Sequence, residues 1–268
     1  MDLIAETLDA EVLQRLDAFV QPVLHAVRHR RTRRLARQYV SGLLGPGERK
    51  TAAPIAQRLL GAASAPTAER RMREMLSDGE WNHATMMWEG TARLLALTDG
   101  WQAYTLDDTS LLKQGAHSVG VANQYAGCVG GLANCQALVT VGVANEHVSS
   151  LIAAQLFLPE SWCKPDATEK RAACRVPPGV RHRKKWEIGL ALARRARLEG
   201  LPRLPWLGDA GYGVVTEFRA AMTEAGETYV VGVPRELAVW EPGTTFSPIV
   251  RPSPSSPGRP AHRLRPDE

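Results

Sequence analysis

Between Cys135 and Val143 every second residue is apolar (Cys135, Ala137, Val139, Val141 and Val143), and a strand with one buried face satisfies that spacing. A helix would scatter the same residues around its axis. Residues 101–106 also read as extended. Alternation then sets Trp101, Ala103, Thr105 and Asp107 on one face, and Gln102, Tyr104, Leu106 and Asp108 on the other. A third extended run, residues 118–125, lies between the two, and Gly127, Gly130 and Gly131 supply the turn after it. The three runs predict an antiparallel meander whose first strand ends in two adjacent carboxylates and Thr109. Asp-Asp-Thr is also ordinary turn chemistry. At a strand terminus the same carboxylates can supply hard oxygen ligands for a divalent cation.

The chain before this stretch has helical periodicity. Val12, Leu16, Phe19, Val20 and Val23 share a face within residues 3–27, interrupted by Pro22. Gly42, Gly45, Pro46 and Gly47 break the pattern, Pro54 suits the first turn of a short helix to Leu60, and Thr67 after Pro66 reads as the cap of another. Residues 81–97 predict a further helix with Met87, Trp88, Thr91, Leu94 and Leu95 inward. Residues 1–98 are thus expected to form a small helical domain.

After the meander, a polar excursion closes at Pro177 and Pro178. Residues 184–198 then predict a helix with Ile188, Leu192 and Ala196 on one face and Lys184, Lys185, Arg194, Arg195 and Arg197 around the other. The short apolar run 204–208 ends on Asp209 within GDAGYG, whose glycines read as a sharp turn. A helix over 217–225 and a strand over 228–233 follow. If the strand before Asp209 pairs in parallel with the first strand, Asp107 and Asp209 end side by side, which is a metal-site arrangement.

A formal net charge of +5 points weakly to a polyanionic partner. Its distribution says more, because RHRRTRRLAR, residues 28–37, holds six arginines in ten residues. Arg30, Arg31, Arg33, Arg34 and Arg37 are candidate phosphate contacts, and a merely solvated face is the competing reading. Arg70, Arg71 and Arg73 extend the basic character. Cys128, Cys135, Cys163 and Cys174 match no metal-ligand spacing and read as reduced thiols. The first thirty residues carry acids and no apolar core segment, so neither a secretory signal nor a membrane span is expected, and the predicted location is cytoplasmic.

With the acids placed, LDDTSLLKQGAHSVGVANQYAGCVGGLANCQALVTV, LPESW, GDAGYG and YVVGVP occur in an order that resembles the DDE-superfamily endonucleases, the transposases of bacterial insertion sequences. YVSGLL, ERK and EWN further upstream are similar to the same branch, so the resemblance runs from about Arg37 to Pro234. It implies an α/β fold, a ribonuclease H-like mixed sheet flanked by helices and preceded by the helical domain, with the catalytic core over residues 99–240. It implies cleavage of double-stranded DNA at element ends and transfer of the 3′-hydroxyl into target DNA. Three carboxylates would hold two Mg²⁺ (or Mn²⁺) ions, in a possible homo-oligomer.

Carried over by position, the family's first two acids fall on Asp107 and Asp209, with Asp108 the alternative to Asp107. The family's third acid, a helical glutamate, has no counterpart in the motif order. Glu236 and Glu241 are its nearest substitutes. Residues 241–268, rich in Pro, Ser and Arg, are expected to be a disordered tail. The chain therefore reads as a C-terminally truncated transposase, with a non-catalytic DNA-binding remnant as the alternative.

Overall fold

The computed structural model describes residues 9–241 and 243–245. Four helices come first: α1 (Ala10–Leu24), α2 (Arg30–Leu44), α3 (Ala52–Asp78) and α4 (His83–Leu97). Asp9 caps α1 by accepting the Glu11 N–H at 2.9 Å, and Asn82 caps α4 by accepting the Thr85 N–H at 3.1 Å. Pro22 lies within the last turn of α1 without ending it early. Val20, Leu24, Val27, Ala36 and Met75 bury one interface among α1–α3, and Ile55, Ala56 and Met72 bury a second with Leu35 and Tyr39.

The break expected at Pro66 is displaced. The chain leaves helical geometry at Gly61, with φ at 71°, and residues 62–78 continue as helix through Pro66 and Thr67. Thr67 is therefore not a cap. A left-handed φ ends a helix more decisively than a proline near the start of the next one, where few backbone N–H groups have a carbonyl partner to lose.

The sheet begins with β1 (Ala103–Leu112), β2 (Ala122–Ala126), β3 (Gly131–Ala144) and β4 (Ser149–Leu156). Then come α5 (Thr168–Ala173), α6 (Lys185–Leu198), β5 (Trp206–Gly208), α7 (Ala210–Gly213), α8 (Thr216–Glu224) and β6 (Tyr229–Val231). Strand order is β2-β3-β1-β5-β6, and β4 also pairs with β3. β1 is antiparallel to β3 and parallel to β5, with Leu106 beside Gly208. This is a mixed sheet flanked by helices behind a helical N-terminal region, the expected ribonuclease H-like class. Tyr104, Leu106, Val139, Val141 and Ile152 of the sheet share a core with Ile188 and Ala196 of α6 and Phe218 and Met222 of α8.

Several expectations change in detail. The run 118–125 is strand only over Ala122–Ala126. β4 is a strand where none was expected, and it takes the edge of β3 beyond β2. GDAGYG is not a plain turn, because Asp209 caps the short helix α7. α4 links the helical region to the sheet: Trp88, Leu94 and Leu95 pack on the sheet's core, and the buried Thr91 hydroxyl donates to the Ile152 carbonyl at 3.1 Å.

The chain divides after Gly232, and every helix and strand from α1 to β6 belongs to the unit that ends there. The expected tail lies outside the described residues, apart from Glu241 and residues 243–245. Among the described residues no helix is long and apolar enough to cross a membrane.

Candidate functional site

Strand alternation in β1 decides what each acid faces. Tyr104 and Leu106 are buried and Asp108 follows on their side, while Thr105 and Asp107 are exposed on the other. The Asp107 carboxylate accepts the N–H of Asp108 at 2.7 Å, and the Asp107 carbonyl accepts the Thr140 hydroxyl at 2.9 Å. Asp108 reaches across the core side instead. Its Oδ1 accepts the Tyr212 hydroxyl at 2.8 Å and its Oδ2 accepts the Lys185 ammonium at 2.6 Å.

Asp209 directly follows β5, and its Oδ1 accepts the N–H groups of Gly211 at 2.9 Å and Tyr212 at 3.3 Å. Asp108 and Asp209 line one cleft of about 410 Å³ together with Lys184, Lys185, Trp186 and Tyr212. Asp107 is not among the residues lining it. The parallel pairing expected of the two strands is present, but β1 runs on to Leu112, so its acids lie within the strand beside the end of β5, and the acid in Asp209's cleft is Asp108.

Tyr212 ties the two acids together. Its backbone N–H bonds one and its hydroxyl the other. The ring lies over α6 at Gly189, where a Cβ would come within 3.1 Å of its Cε1. Burial first, and then the charge of Asp108, push the phenol's pKa far above its ordinary value, so it stays protonated and donates.

The donor set is two carboxylates, hard oxygen ligands of the kind Mg²⁺ and Mn²⁺ take. Both hydrogen bonds to Asp209 fall on Oδ1, whereas Lys185 holds one oxygen of Asp108. The donor chemistry of the pair suits one divalent ion, with the Lys185 charge opposing it. Among the described residues no group of three or more His, Cys, Asp or Glu is arranged to hold a metal.

The arginine run divides by structural role. Arg33 donates through Nε to the Val27 carbonyl at 2.6 Å, and Arg37 makes a forked pair with Asp17 that raises its pKa, chiefly through the hydrogen bond. Arg30, Arg31 and Arg34 are exposed. Arg28, Arg31 and Arg34 line a groove of about 1220 Å³ with Arg71 of α3, and Glu74 and Asp78 also line it. Arg70 and Arg73 are paired with Glu74 and Glu69 at 2.8 and 2.5 Å.

Lys185 and Tyr212 escape the sequence reading. Periodicity sets Lys185 on the outer face of its helix, and nothing local signals a bond to a strand residue 77 positions earlier. Tyr212 does carry a signal, being the aromatic three residues after the acid in GDAGYG.

The family model described as DDE superfamily endonuclease matches residues 22–268 of the chain. No curated protein matches it.

Proposed function

Because the chain belongs to the DDE superfamily endonucleases, we propose that it is an insertion-sequence transposase of the cytoplasm. It would cut double-stranded DNA at element ends and join the freed 3′-hydroxyl to target DNA, acting as a homo-oligomer. The observation that carries this reading is the cleft shared by Asp108, within β1, and Asp209, at the end of the parallel neighbour β5.

Asp108 takes the role first expected of Asp107, since it is the acid on the Asp209 side. Asp108 and Asp209 would hold Mg²⁺ or Mn²⁺, which when bound would make the attacking hydroxyl more acidic and stabilise charge on the leaving oxygen. The chain's own residues orient and screen: Tyr212 fixes one oxygen of Asp108, and Lys184 and Lys185 give the cleft the positive charge that suits a phosphodiester. Residues 1–98, as a helical DNA-contacting segment, would use Arg28, Arg31, Arg34 and Arg71 along their groove to hold the phosphate backbone. Among the described residues no third carboxylate joins the two to hold a second ion. The two acids alone favour a second reading, a DNA-binding form with little cleavage that modulates a complete relative.

The test is nicking of supercoiled DNA with Mn²⁺, run beside DNA binding. Asp108→Asn and Asp209→Asn are expected to abolish nicking while Asp107→Asn keeps at least about half, since one missing ion ligand removes the reactive geometry. Loss in Asp107→Asn with nicking retained in Asp108→Asn returns the role to Asp107. DNA binding without nicking by the unaltered chain selects the second reading.

A further inference from the structure

We propose that Lys185 is a built-in counter-cation of the acid site, holding the place on Asp108 that a divalent ion takes and leaving it when the ion binds. The inference rests on Asp108 and Asp209 being the ion-holding pair, and it concerns what governs their affinity.

Three observations lead to it. The ammonium contacts Asp108 Oδ2 at 2.6 Å while Tyr212 occupies Oδ1 at 2.8 Å, so both oxygens of this carboxylate are engaged. Each oxygen keeps a second lone pair, so what opposes a divalent cation there is the like charge of the ammonium, while the neutral phenol can stay in place. Tyr212 is the worse candidate to leave, because the residue is 3% exposed and its ring is packed against Phe218, with centroids 5.5 Å apart. Lys185 is half-buried, on a flexible four-carbon stem, with its side chain 32% exposed.

The helix itself also disfavours the cation. Lys185 is the first residue of α6 and Lys184 is its cap, so two ammonium groups sit at the positive end of the helix dipole. Asp108 is what stabilises Lys185 there. A divalent ion neutralises Asp108 better than a single ammonium does, and its arrival removes the reason for Lys185 to stay.

The released ammonium has somewhere to go. It already lies 5.4 Å from the Phe157 ring centroid, and Phe157 lines the same cleft along with Lys184. Expelled toward that wall, Lys185 would add its charge to the side of the cleft a DNA phosphate would enter. Ion binding and readiness for a polyanion would then be one event, with Lys185 as a positioning residue that itself holds no metal.

The experiment measures Mn²⁺ binding to the full chain by calorimetry, cross-checked by the electron paramagnetic resonance of free Mn²⁺. Lys185→Met keeps the stem and removes the charge, and it is expected to tighten Mn²⁺ binding about tenfold, the scale of one charge-assisted hydrogen bond. Lys185→Arg should stay near the unaltered chain, and Asp108→Asn should lose the site. Unchanged or weaker binding in Lys185→Met, with Asp108→Asn still abolishing it, overturns the counter-cation role and leaves the ion-holding pair intact. No Mn²⁺ binding to the unaltered chain or to Lys185→Met overturns both.

A second measurement needs no variant. Acylation of Lys185, read by mass spectrometry on the unaltered chain, should rise when Mn²⁺ is added, because the ammonium leaves its carboxylate. Labelling that does not change with Mn²⁺ overturns the proposal independently of how any variant folds.

Discussion

Glu227 and Arg197 form an ion pair with side chains only 7% and 17% exposed, and the Trp206 indole N–H adds a third bond to the carboxylate at 3.0 Å. Arg197 also lies near the rings of Tyr104 and Trp206, so one guanidinium joins α6 to the strands β1 and β5 that carry the acids. Its hydrogen bond to Glu227 pulls the carboxyl below its ordinary value near 4.5, against the opposing effect of burial. Because the folded value is the lower one, the pair's contribution is complete above the unfolded value and is lost as pH falls through the folded one. Glu227→Gln should therefore lower stability by about 3 kcal/mol at neutral pH, since it removes the charge partner of a largely buried guanidinium whose other hydrogen bonds go to the Leu201 and Pro202 carbonyls. Urea midpoints taken from pH 5 to pH 3 should fall more steeply for the unaltered chain than for the variant. An equal slope in the two proteins would mean that Glu227 does not titrate with folding. Sequence placed Arg197 on an outer, solvated face, because its partner lies 30 residues away on another element. Alternation put Asp107 and Asp108 on opposite faces, as β1 has them, but which of the two meets the cleft depends on one residue of register that periodicity alone does not decide.

At the scale of elements, regular periodicity was readable and interrupted periodicity was not. β3 announces itself by five alternating apolar residues. β4 does not, because its register against β3 shifts between Val141 and Gly142 and two consecutive residues, Ile152 and Ala153, become buried. α7 was hidden for a different reason. Four residues with two glycines carry no helical pattern, and their conformation comes from the Asp209 cap and from packing against the backbone that leaves β6. At Gly213 that packing tolerates no side chain: a Cβ there would stand 1.7 Å from the Gly232 carbonyl oxygen. Since neither backbone can yield without moving Asp209, Gly213→Ala should destabilise by about 2 to 3 kcal/mol and weaken the acid site with it. Gly179→Ala, where a Cβ meets nothing within 4 Å, should leave the melting temperature nearly unchanged. Equal melting temperatures for the two variants would show that α7 adjusts freely.

On the scale of the whole molecule, the basic run holds groups that tie the helices together, groups that line a groove and the exposed Arg30, and the first two separate two kinds of experiment. Arg37 ties α2 to α1 through Asp17, and Arg33 ties the start of α2 to the preceding turn. Neither commitment was legible, because Asp17 lies twenty residues upstream and a backbone carbonyl leaves no mark in composition. Arg31 and Arg34, on successive positions of the α2 face, meet Arg71 of α3 across the groove, although those two stretches are separated by a helix break in sequence. A polyanion held there releases counterions in proportion to the phosphates neutralised, so each arginine removed should flatten the dependence of log affinity on log salt by just under one unit. The triple variant Arg31→Ala, Arg34→Ala, Arg71→Ala is accordingly expected to lose about 2 to 3 units of slope on double-stranded DNA of any sequence, with an unchanged melting temperature. Arg37→Ala should do the reverse, lowering stability by up to about 1 kcal/mol while leaving the slope nearly as it was. If Arg37→Ala flattens the salt dependence as much as the groove variant does, the phosphates run along the outer face of α2, and the groove between α2 and α3 is not where this chain meets DNA.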